Sequence, residues 1–250
     1  MYKSSEHGNV LFLILIAVAL FAALSYAVSS STRGGKKGGL PEAELVKTST
    51  IVQYGAQIKT AIDRMKIIHG VQNWEICFDH AAWGHTNYNY ASCNNVETNI
   101  FDSEGGGVAF GTPDPEWLDP ANAARPRYGQ YIYEAWRVQD IGTNSGSGGS
   151  MNDLIMILPH LKREVCIKIN EELGITNPSG EPPVEANGYN ASYFKCHFGE
   201  SGSWCYGSSV QTAIDGAGDE LAGQESGCAR FTNALGGGTS YMYYQVLVAR

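Results

Sequence analysis

The chain has 250 residues and a formal net charge of -8, with a sequence pI near 5.2, so a general nucleic-acid-binding role lacks electrostatic support. Its apolar N-terminal run set aside, roughly 210 residues remain, enough for one domain with a real core or two small ones. The six cysteines (Cys77, Cys93, Cys166, Cys196, Cys205 and Cys228) all follow that run and form no CxxC pair, which removes zinc-knuckle and thioredoxin-type spacings.

From Val10 to Val28 the sequence holds no charge, Gly or Pro. As a helix rising about 1.5 Å per residue, this run nearly crosses a hydrocarbon core of roughly 30 Å. Three fates fit it: a secretory signal cut at Ser25-Tyr26-Ala27, a retained single-pass anchor, or a processed leader. The polar segment 1–8 carries Lys3 and ends in Gly8, directly before Asn9 and the apolar run.

This arrangement resembles the class III leader of type IV pilins and pseudopilins. The resemblance implies cleavage by a prepilin peptidase between Gly8 and Asn9, followed by a membrane or filament-core helix over 9–28. Val10, Leu13, Ala17, Ala22 and Val28 belong to that helix, and the small Ala17, Ala19, Ala22 and Ala23 permit close helix approach. Two positions depart from the family pattern. Asn9 stands where an aromatic residue or Met is usual, and Leu13 replaces the Glu that pairs with a neighbouring subunit's terminal amine.

Lys3 precedes the helix, whereas Arg33, Lys36 and Lys37 follow it, so the positive-inside rule alone puts the carboxyl side in the cytoplasm. Six cysteines in Gly-rich sequence point the other way, to disulfides in an oxidising compartment. Of the 15 pairings that six cysteines allow, short loops favour Cys77–Cys93 and Cys196–Cys205, leaving Cys166–Cys228. Residues 29–39 read as a Gly/Ser linker and 40–250 as the extracytoplasmic domain.

Pro41 to His69 reads as a helix, with Pro41 in the first turn, Glu42 and Glu44 at its positive end and Gly70 after it. Leu45, Val52, Ile58, Ile62, Met65 and Ile68 make its apolar stripe. Strand-like pieces follow at Asn73 to Asp79, where Trp74, Ile76 and Phe78 alternate, at Gly107 to Gly111, and at Gln130 to Val138, where Ile132, Trp136 and Val138 share a face. Thr112 to Pro126 holds four of the nine prolines and is irregular.

Ser150 as cap, Asp153 in the first turn, and Leu154, Leu158, Leu161, Val165 and Ile169 at helical spacing predict a second helix closed by Gly174, kinked or split at Pro159. After it the chain is loop-dominated, with a short helix near Val210 to Ile214. Tyr241 to Val248, apolar on both faces, reads as a central strand.

Residues with reactive or ligating chemistry are sparse. Asp79, His80 and His85 are metal-ligand types without the usual spacings, and Asp114, Glu116 and Asp119 lie among prolines without an EF-hand pattern. The serines near Gly146 and Gly202 do not sit between a strand and a helix, and Gly105–Gly107 and Gly236–Gly238 read as turns rather than phosphate loops. Tyr88, Tyr90, Tyr128, Tyr131, Tyr133, Tyr241, Tyr243 and Tyr244 serve either a binding surface or sheet packing.

The expected fold is α+β: an N-terminal membrane or filament helix, then a disulfide-stapled domain with an amphipathic helix on an antiparallel sheet, plus a second helix. The expected role is assembly of a homo-oligomeric surface filament or secretion pseudopilus, without catalysis, cofactor or metal. The alternative is a single-pass anchored binding or adhesion domain that does not polymerise. The expected location is the inner membrane with an extracytoplasmic domain, or an extracellular filament.

Overall fold

The computed structural model describes residues 12, 14–22, 42–83, 91–142, 153–185, 214–232 and 238–249. The chain divides into two compact units, Met1–Ala43 and Glu44–Arg250. In the first, residues 12 and 14–22 are helical and every one of them is exposed. Among the described residues no helix is long and apolar enough to cross a membrane. The nine consecutive described residues rise only about 14 Å, and Gly8, Asn9, Val10, Leu13, Val28 and the linker lie outside the description.

The second unit is α+β, with a five-stranded mixed sheet. Helix α1 spans Glu42–Ile68 and carries Lys66 in its last turn, where a cation complements the helix dipole. Thr48, Ile51, Gly55, Ile58, Ile62 and Met65 form its buried face, alternating three and four residues apart. Gly55 permits the close approach of α1 to the sheet, since a Cβ there would lie 3.0 Å from both Gln245 and Met156. Ile68, expected on the buried stripe, is instead 64% exposed because the buried face ends at Met65.

The strands are β1 (Ile132–Trp136), β2 (Asp153–Leu161), β3 (Val184–Glu185), β4 (Ser226–Phe231) and β5 (Ser240–Val248), in the spatial order β1-β2-β5-β4-β3. All neighbours pair antiparallel except β3 and β4, which are parallel, so the expected antiparallel sheet is mixed. The run from Tyr241 to Val248 does occupy the centre, as apolar character on both faces requires.

The predicted helix from Ser150 to Gly174 is corrected to a strand followed by a helix. Asp153–Leu161 is β2, buried at every position, and only Arg163–Leu173 is helical, forming α2. Leu154 to Leu158 is an unbroken apolar run, which matches a helical stripe at some positions while fitting a fully buried strand at all of them. Asp153 does not serve a helix start; its Oδ2 accepts from the Val138 amide at 3.0 Å. Pro159 cannot donate to a sheet ladder, and the β2–β5 register slips between Leu158 and Leu161, with His160 at φ 62°.

Both helices serve one sheet face. Ile51, Ile58, Ile62, Val165, Cys166 and Ile169 share a core with Met156, Leu158, Tyr243 and Leu247. On the opposite face Ile132, Trp136, Ile155, Ile157, Phe231 and Tyr244 pack with Ile175, Ile214 and Leu221. Cys166 is bonded to Cys228, fastening α2 to β4, and Cys77 is bonded to Cys93. The Cys196–Cys205 pair lies outside the described residues.

Two further strand expectations are corrected. Asn73–Glu75 is a 3-10 turn, and beyond it only Cys77 makes an isolated bridge, to Asn99. Trp74 does not share a buried face with Ile76 and Phe78; it is 52% exposed. Residues 107–111 form no strand; the Gly107 and Val108 amides donate instead to the Asp102 and Ile100 carbonyls. Of the predicted short helix near Ile214, only Ile214 is described, and it bridges Val138.

Candidate functional site

A groove of about 600 Å³ runs along α1. One wall is a face of α1 bearing Gln53, Gln57, Thr60 and Arg64, and the other is residues 106–109. Its shape follows from the glycines where that wall begins. A Cβ on Gly105 or Gly106 would collide with the backbone of Asn99 or Ile100, so these two glycines allow backbone to pack on backbone. Only Gly107 of the three has the positive φ (61°) that a turn requires. Arg64 then donates to the Gly106 carbonyl and ties the turn to α1.

Tyr54 secures the far end of this wall. Its hydroxyl accepts from the Gly111 amide at 2.9 Å and donates to the Ala109 carbonyl at 3.4 Å. A Cβ on Gly111 would lie 2.8 Å from the Tyr54 ring, so only glycine allows that approach. Tyr54 packs on Tyr131 with centroids 4.6 Å apart, and burial raises the pKa of both phenols. Further aromatic pairs, Phe78 with Tyr133 at 4.2 Å and His80 with Phe110 at 4.3 Å, support the same loop.

Several candidate ligating residues have structural partners. The His80 Nδ1 accepts from the Ala82 amide, and the Asp79 carbonyl accepts from Asn99. His85 lies outside the described residues, among which no group of three or more metal-ligand side chains is gathered. Asp114 and Asp119 each cap a short 3-10 turn, accepting from the amides of Glu116 and Ala121. Tyr131, Tyr133, Tyr243 and Tyr244 are buried in the sheet core, so these four pack rather than present a surface; Tyr88 and Tyr90 lie outside the description. Ala17 and Ala22 lie on the exposed helical stretch.

Two buried ionisable groups carried no recognisable sequence signal. Glu185, at the end of β3, accepts from the amides of Asp215 and Gly216 at 2.8 and 2.6 Å. Desolvation, aided by Asp215 and Glu220, pushes its carboxyl up to about 7 despite those two donors. His160 is fully buried; its Nε2 lies 3.0 Å from the Pro126 carbonyl and its Nδ1 3.0 Å from the Ser240 hydroxyl. A carbonyl only accepts, so Nε2 carries the proton and Nδ1 accepts from Ser240. This Ser–His contact resembles a nucleophile and base, but both residues are buried and neither lines the groove along α1. Compared with protein families, with curated proteins and with solved structures, the chain matches none.

Proposed function

We propose that this chain is a pilin- or pseudopilin-like structural subunit of a surface filament or secretion pseudopilus. One observation carries the reading. The helical residues Phe12, Ile14, Leu15, Val18, Leu20 and Phe21 are each 58–74% exposed, and a helix that is apolar on all sides needs lipid or other helices around it. Gly8 in front of that run supplies the leader motif. In this reading a prepilin peptidase cuts after Gly8 and the inner membrane holds the helix until assembly. The helices then pack with one another in the filament interior, each burying apolar surface worth about 25 cal/mol per Å² relative to water. The α+β unit forms the outer, extracytoplasmic surface, and its work is assembly without catalysis.

The groove along α1 favours a second reading, an anchored binding or adhesion domain that never polymerises. Mass spectrometry of the native N-terminus separates the two. A mature terminus at Asn9, with the chain present in sheared surface filaments, supports the subunit. A terminus at Met1 in a membrane-confined monomer favours the anchored binder, and a terminus at Val28 sinks the filament reading.

A further inference from the structure

The groove along α1 has a specific chemistry that helix packing in a filament interior does not use. From Gln53 to Arg64 it follows twelve residues of helix, a rise of about 16 Å, the length of about five residues of extended chain. Its small members Ala56, Ala61, Gly106 and Gly107 leave room beside a main chain. Gln53 and Gln57 are exposed amides, each offering a donor and an acceptor of the kind a peptide backbone matches. Thr60 donates its hydroxyl proton to the Ala56 carbonyl, which leaves its oxygen able to accept.

Among the lining residues there is no aromatic side chain on which a sugar or base would stack, and Arg64 is the one charged side chain. A single guanidinium suits one carboxylate better than a polyphosphate. Its contact with the Gly106 carbonyl fixes the side chain in place, and a guanidinium carries five N–H donors, so others remain for a ligand.

We infer that this groove receives an extended, carboxylate-bearing segment of a second copy of this chain. The inference rests on the subunit reading above. Charge supports the choice of occupant: the chain carries 25 acidic residues against 17 basic ones, so a second copy presents carboxylates in excess to this cationic spot. Groove and inserted segment are different surfaces, so the contact is heterologous and, when repeated without closing a ring, propagates as a helical array.

The test places the photocrosslinker p-benzoylphenylalanine at Gln57 of the full chain, expressed in its native membrane. The expected products are covalent dimers and higher multiples of this chain, with the crosslink mapped to an Asp- or Glu-containing segment of the second copy. Arg64→Glu lowers the self-crosslink about tenfold, equivalent to about 1.4 kcal/mol, and Arg64→Lys, which keeps the charge but not the fork, gives an intermediate yield. Non-reducing peptide maps showing Cys166–Cys228 intact establish that the variants fold.

Crosslinks only to a different protein, no crosslink, or self-crosslinks indifferent to Arg64→Glu overturn the inference. Filaments with an Asn9 terminus but no Gln57 self-crosslink leave the subunit reading standing while this one fails. Arg64-dependent self-crosslinks without filaments or processing do the reverse.

Discussion

Asn170 of α2 holds both backbone groups of Cys228 in β4: its Nδ2 donates to the Cys228 carbonyl at 2.9 Å, and the Cys228 amide donates to its Oδ1 at 2.8 Å. Strand β3 pairs with β4 only at Arg230 and Phe231, so the amide side chain completes the ladder where that short strand stops. The Cys166–Cys228 bond fixes the same two elements.

Asn170→Ala leaves a buried donor and acceptor unpaired and is expected to cost about 2–4 kcal/mol. Urea unfolding with disulfides intact measures it as a lower midpoint at unchanged slope. A midpoint within error of the parent would show that water replaces the amide.

Removing the neighbouring bond with Cys166→Ala and Cys228→Ala opens a loop of sequence separation 62 and is expected to cost about 4 kcal/mol on the chain-entropy account. Because both changes loosen the α2–β4 contact, combining them with Asn170→Ala should cost less than the sum. A double-mutant cycle at equilibrium reads that coupling.

Glu185 makes stability fall toward alkaline pH. Its folded pKa of about 7 lies above the ordinary 4.5, so its contribution is full below about 4.5 and is lost as pH rises through about 7. The span corresponds to roughly 3 kcal/mol. Glu185→Gln keeps an acceptor for the Asp215 and Gly216 amides without the charge, so this variant should be more stable than the parent at pH 8 and nearly equal to it at pH 5. Thermal melts at the two pH values check the sign.

His160 acts in the opposite direction. Burial holds its imidazole below the ordinary value of 6.5, so its contribution is full above about 6.5 and is lost as pH falls through the lower folded value. Its Nδ1 would also have to stop accepting from Ser240 on protonation. NMR titration of the His160 ring should place its midpoint below the ordinary 6.5 in the folded protein; a midpoint at or above that value would refute the assignment.

Tyr54→Phe removes the hydroxyl that accepts from Gly111 while keeping the ring on Tyr131. The expected cost is about 1 kcal/mol, with faster amide exchange at Gly111 and little change in the sheet. Equal loss of protection throughout β2 and β5 would mean the wall and the core unfold together.

Some of this protein was legible in its residues. The span of α1, the central placement of the Tyr241–Val248 run and the α+β class follow from local periodicity and from apolar character on both faces of a segment. The pairs Cys77–Cys93 and Cys166–Cys228 were approachable through loop length and an even count. Residues 154–158 were not, because a short unbroken apolar run satisfies helix and buried strand alike, and only pairing with β1 and β5 on either side decides for the strand.

The tertiary structure alone decided what distant residues do together. Gly105 and Gly106 need the backbone of Asn99 and Ile100 to explain them, Asn170 needs the open stretch of β4, and Arg64 becomes a groove residue only through the turn it ties down. Burial that displaces the Glu185 and His160 proton equilibria likewise comes from segments far away in the chain. Local sequence fixes periodicity and charge, whereas desolvation and close backbone approach are properties of the packed chain.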